Sequence, residues 1–137
     1  MYAYPTISIP KLHTEYTAWM EELVFYKEEI KIFEHHLENL TVKSTDRNVL
    51  AQVEHFQNVF IRQKEVIDIL KHNLNVSEKQ LTAFVKKMSG MGLSSIKMDN
   101  HTRLRDEMQT FRKLFNELKF EFRRFESQCM LCAEPVL

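Results

Sequence analysis

The two residues best suited to chemistry close the chain's last apolar stretch. Cys129-Met130-Leu131-Cys132 has the spacing of a redox dithiol, or of half a four-cysteine zinc site. Thiol redox chemistry usually places such a pair at a helix N-terminus, where the helix dipole lowers the thiol pKa. Here the pair falls at the C-terminal end of a helical pattern, where the dipole acts the other way. Both sulfurs also continue an apolar stripe, in which cysteine packs as a small hydrophobe. The spacing therefore favours packing, with a thiol- or metal-responsive role for Cys129 and Cys132 as the alternative.

The six histidines, at positions 13, 35, 36, 55, 72 and 101, give no metal pattern. A carboxylate-bridged metal pair inside a helical bundle needs Glu-x-x-His, which points both ligands inward from one face. No histidine here has a glutamate three residues before it, and none has a glutamate or histidine four residues after it. His35 and His36 are adjacent and so point about 100° apart. They read as solvated flank residues beside Glu34 and Glu38. No Gly-rich phosphate loop or Asp-rich calcium loop is present either. The expectation is a non-enzymatic protein with no metal and no cofactor.

Two further groups stand out. Gln63 is the one polar residue within an otherwise apolar stripe, placed opposite Leu23 between Trp19 and Tyr26. A buried amide needs partners, so Gln63 is expected to be a buried residue that fixes register, with the Tyr26 hydroxyl as its neighbour. Lys119-Phe120-Glu121-Phe122-Arg123-Arg124-Phe125 interleaves bases with aromatics in the manner of single-strand binders. Phe122 and Phe125 belong to the stripe, however, and Glu117, Glu121 and Glu126 dilute the charge. Nucleic acid is not an expected partner.

The elements that must position these residues follow from one repeated spacing. Leu12, Tyr16, Trp19, Leu23, Tyr26, Ile30, Phe33, Leu37 and Leu40 alternate steps of four and three. Val49, Val53, Phe56, Phe60, Gln63, Ile67, Leu70 and Leu74 repeat the pattern, as do Leu104, Met108, Phe111, Phe115, Leu118, Phe122, Phe125 and Cys129. This alternation keeps one seam facing a partner helix. The 137 residues contain only 2 Gly and 3 Pro, too few turn residues for an all-β chain. An all-α fold is expected: an antiparallel up-down-up bundle of three long helices, about 11–41, 46–89 and 99–130, in a single domain over 1–137, with an extended N-terminal segment.

Caps and breakers set the boundaries. Pro10 suits a first helical turn, Ser44 or Thr45 can cap the second helix, and Asp99 or Asn100 the third. Ser77-Glu78-Lys79-Gln80 has the form of a capping box, and a break near Asn75 would give four helices. The seam runs on in register through Leu74, Ser77, Leu81 and Phe84, which favours one continuous helix.

Folding about the centres of the two connections sets Ile30 near Phe56, Leu12 near Leu74, Phe115 near Ser77 and Leu118 near Leu74. The helices then overlap only in the middle, with residues 24–60 as an uncovered two-helix arm. The segment from Tyr2 to Ile9 could cover the opposite arm, residues 77–115. A second copy would cover the first arm, with Phe25, Ile32, Val59 and Val66 as the contact stripe. The expected partners are thus a second copy and, as a scaffold, other proteins.

Lys plus Arg equals Asp plus Glu at 19 each, which argues against a dedicated nucleic-acid or membrane-surface role. The charge is uneven, with seven acids against three bases over 11–40 and seven bases against six acids over 99–126. Such asymmetry favours one helix pairing over others. No run resembles a signal peptide or a membrane span, and two cysteines cannot staple a secreted scaffold, so a cytoplasmic setting is expected.

Overall fold

The structure, a computed structural model, describes residues 7–87, 95–96 and 99–132, with side chains described over 8–87 and 101–129. Three helices make up nearly all of it: α1 (Ile9–Lys43), α2 (Arg47–Lys87) and α3 (Asp99–Cys132). A two-residue strand, β1 (Ile7–Ser8), pairs antiparallel with β2 (Ser95–Ile96) at one end of the bundle. The fold is the all-α, up-down-up arrangement that the seams require. Residues 1–6, which the covering role of the N-terminal segment would need, lie outside the described residues.

Local chemistry explains the helix limits. Ser8 caps α1 by accepting from the Lys11 amide at 3.3 Å, and Pro10 sits in the first turn. The turn over 44–46 is closed by the Ser44 amide donating to the Leu40 carbonyl at 3.1 Å. Asp46, rather than Ser44 or Thr45, caps α2. Its Oδ1 accepts from the amides of Asn48 at 2.8 Å and Val49 at 3.4 Å, and its charge lies at the positive end of the helix. Ser44 instead supports this cap, accepting from the Asp46 amide at 3.2 Å.

α2 runs unbroken through Asn75. Ser77 is buried within it and hydrogen-bonds to Tyr16 of α1, so the residue that resembles a cap satisfies a buried phenol instead. Leu74, Ser77 and Leu81 all stay on the buried face, as continuity demands.

The seams form one core. The α1 stripe from Leu12 to Leu37 is buried throughout, and so is the α3 stripe from Leu104 to Cys129. Their register differs from the turn-centred expectation. Phe33 packs on Phe60 with ring centroids 5.8 Å apart, where that register would place Val53. α1 and α2 are thus paired one heptad further along. Phe115 meets Tyr26 at 4.6 Å rather than Ser77. Phe122 contacts Phe33, Phe56 and Phe60 at 4.9, 5.4 and 5.2 Å, and Phe125 stacks on Phe56 at 5.1 Å.

The supposedly bare arm over 24–60 is therefore covered by α3. The connection between α2 and α3 is long enough to return the third helix to the level of the other two. Full overlap then buries the bulkiest seam residues, each fully buried Phe contributing roughly 1.5–3 kcal/mol.

Candidate functional site

The three helix–helix boundaries are not sealed alike. Between α1 and α3, which run parallel, a ladder of charged pairs repeats every heptad at a constant 90-residue separation. Arg105 grips both oxygens of Glu15 at 2.9 Å, Arg112 holds Glu22, and Lys119 donates to Glu29 at 2.7 Å. The fourth rung reverses the placement of the acid, which now lies on α3: His36 Nδ1 is 2.7 Å from Glu126. Sliding α3 by one heptad to bring Glu126 beside Glu29 would oppose two carboxylates, so the reversal marks the register. Between α1 and α2, Lys27 pairs with Asp68 at 2.7 Å, Lys64 with Glu34 at 2.9 Å, and His13 lies 3.5 Å from Glu78.

Among the described residues, every cross-helix ion pair has one end on α1. Among the described residues, none of these pairs crosses the boundary between α2 and α3. The α2 residues that line it, among them Val66, Ile69 and Asn73, carry no charge to meet Glu107 of α3, and Arg62, one heptad before Ile69, makes no ion pair with α3 among the described residues.

A groove of about 410 Å³ opens along this boundary. Leu70 and Phe111 form its floor, Val66 and Thr110 its sides, and Ile69 and Leu114 its lips. The lips are 59% and 52% exposed, so the groove is edged by two large aliphatic side chains. Gln63 and Asn73 add amides, while Arg103, Asp106 and Glu107 line one end. Glu107 Oε1 is buried there without a hydrogen-bond partner.

The residues singled out from sequence are divided by the fold. Phe25 and Ile32 project from α1, 59% and 54% exposed. They lie three residues beyond Glu22 and Glu29, on the outer edge of the α1–α3 boundary. Val59 and Val66 are half-buried against the core, and Val66 lines the α2–α3 groove. The two pairs therefore occupy different sides of the bundle and do not make one stripe.

Gln63 is half-buried at the groove rather than sealed in the core. The Tyr26 hydroxyl expected as its partner donates instead to Glu22 at 2.8 Å. Cys129 is buried in the α3 seam, and Cys132 is the last residue of α3, with its side chain outside those described. Among the described residues no group of three or more His, Cys, Asp or Glu could hold a metal ion. No helix described is long and apolar enough to cross a membrane.

The basic-aromatic run is divided in the same way. Lys119 goes to Glu29, Phe122 and Phe125 are buried, and the Arg123 guanidinium lies 6.0 Å over the Phe33 ring. Phe120 points outward.

One buried polar residue escaped the sequence reading. His101, at the start of α3, is 4% exposed and stacks on Trp19 at 6.1 Å with Tyr16 beside it. Neither ring nitrogen has a hydrogen-bond partner, and Glu15 Oε1 lies 3.6 Å from Nε2. Burial, with the nearby Arg105 and Lys11 charges, lowers its pKa from the ordinary 6.5, partly opposed by Glu15. The signal was present: one further step of three back from Leu104 along the seam reaches His101.

Comparison with known families, curated proteins and solved structures returns no match to this chain.

Proposed function

We propose that this protein is a non-enzymatic helical interaction module whose α2–α3 face receives a further helix. The observation that carries this reading is the unequal sealing of the bundle. Two boundaries are laced by ion pairs to α1, while the third is an apolar groove with exposed aliphatic lips. A fourth helix laid there would complete a four-helix arrangement and bury Ile69 and Leu114.

A second reading is a homodimer joined through α1. Phe25 and Ile32 support it, being seven residues apart on one line of the helix and both more than half exposed. Its original basis, an arm left bare by the other helices, no longer applies. The alternative of a thiol- or metal-responsive regulator draws no support from Cys129, which is buried in the seam. A cytoplasmic setting belongs to the proposal and rests on a fold held by burial, with both cysteines at one end of the chain.

Light scattering on size exclusion, with and without reductant, tests these readings. A dimer in both conditions that Phe25→Asp with Ile32→Asp converts to folded monomer supports assembly through α1. A dimer only without reductant moves Cys129 and Cys132 to the centre. A monomer in both conditions leaves the α2–α3 groove as the interaction face.

A further inference from the structure

We infer that the α2–α3 groove takes an amphipathic helix of another protein whose flanks carry lysine or arginine. The inference rests on the reading of this face as an interaction surface and goes further by naming the chemistry of the occupant. Charge complementarity carries it. The basic residues Arg105, Arg112 and Lys119 on one flank of α3 are engaged by the glutamates of α1. The opposite flank, toward α2, presents Glu107 and Glu121 with Leu114 midway between them. Arg62 lies on the α2 flank one heptad before Ile69, but among the described residues no base on α2 pairs with either acid, and one oxygen of Glu107 is buried without a partner.

A buried carboxylate oxygen left unpaired is costly, and a cationic side chain entering the groove would compensate the charge through the rest of this carboxylate, which is half-buried rather than sealed. Arg103 also lines this end, one helical turn before Glu107, but makes no ion pair with it. A second copy is a poorer fit. Groove against groove, it would bring the same acidic flank to both sides of the interface.

The lining residues on α2 run from Gln63 to Asn73. At 1.5 Å per residue this is about 15 Å, or roughly three helical turns. An occupant of that length would set apolar residues at i, i+3 or i+4, and i+7 between Ile69 and Leu114, with its cations over Glu107 and Glu121.

The test uses the full chain and two synthetic peptides of about 18 residues, long enough to hold a helix once bound. Both carry leucine at the seam positions; one has lysine on its flanks and the other glutamate. Binding is read by fluorescence polarisation and located by amide chemical shifts. The expected result is that the lysine peptide binds at least about tenfold more tightly, as two flank pairs would supply. Shifts should cluster around Ile69, Val66 and Leu114, and Glu107→Gln with Glu121→Gln should abolish the preference. Leu114→Asp, at an exposed position that leaves the core intact, should remove binding of both peptides.

Equal binding of the two peptides in the groove would overturn the basic occupant while sustaining the interaction face. Absence of binding by either peptide, with the chain a folded monomer, would overturn both. A dimer of the unmodified chain that Leu114→Asp dissociates would identify a second copy as the occupant and overturn the inference.

Discussion

Glu22 of α1 and Arg112 of α3 meet through two hydrogen bonds across 90 residues of chain, one from the guanidinium Nη2 at 2.9 Å and one from Nε. The Tyr26 hydroxyl, one turn along α1, donates to the same carboxylate. The Arg112 hydrogen bonds, aided by Tyr26 and opposed by burial, hold Glu22 below its ordinary pKa of 4.5. Burial first, then the Glu22 carboxylate, pushes the Tyr26 phenol up to about 12.

This cluster gives a signed pH dependence. Glu22 is lowered in the folded state, so its contribution is complete above 4.5 and is lost as pH falls through the depressed folded value. Glu22→Gln should destabilise the chain at pH 7 by about 1–2 kcal/mol, moderated because Arg112 remains partly solvated. Urea midpoints of the two proteins should converge as pH is lowered below that range. A constant gap would mean that the carboxylate charge contributes nothing.

His101 titrates with the opposite consequence. Its folded pKa lies below the unfolded value near 6.5, so between the two the unfolded chain binds a proton that the folded chain does not. Stability therefore falls as pH drops below 6.5, until the folded pKa is reached. His101→Phe keeps the stacking on Trp19 and removes the proton. The variant should gain on the wild type between pH 7.5 and 5 in denaturant titrations. Parallel curves would show that His101 is not held neutral.

Phe122 is fully buried among Phe33, Phe56 and Phe60. Phe122→Ala should cost about 3–5 kcal/mol, against at most about 0.5 kcal/mol for Phe120→Ala on the exposed side. Thermal denaturation of the pair measures the contrast. Similar losses would mean that α3 does not cover residues 24–60.

Cys129 should react slowly with a thiol reagent in the native chain and rapidly in urea, measured in a Cys132→Ser background. Fast native labelling would contradict its place in the seam.

The helices were legible because steps of four and three admit no other regular structure, and because Leu74, Ser77 and Leu81 keep one face across Asn75. Register was not, since a heptad pattern repeats after every slip of seven. Centring the hairpins on their loops put Phe33 beside Val53 instead of Phe60. The information that breaks this degeneracy was present in charge. Glu15, Glu22 and Glu29 share the spacing of Arg105, Arg112 and Lys119, with His36 and Glu126 reversing the sign. The groove was hidden for a related reason. Whether Val66, Ile69 and Leu114 converge depends on which flank of α2 faces α3, and the seam residues alone do not decide that.

The 90-residue separation between α1 and α3 also orders assembly. α1 and α2 are joined by the turn at 44–46, so their hairpin closes a short loop, while the charged anchors of α3 all lie on the helix most distant from it in sequence. The expectation is that α3, which carries one wall of the groove, docks after the α1–α2 hairpin and opens before it. Its amides should exchange through openings that leave the α1–α2 hairpin intact. A ligand helix bridging Ile69 and Leu114 would clamp α3 to α2, so that occupancy of the face appears as slowed exchange along a whole helix.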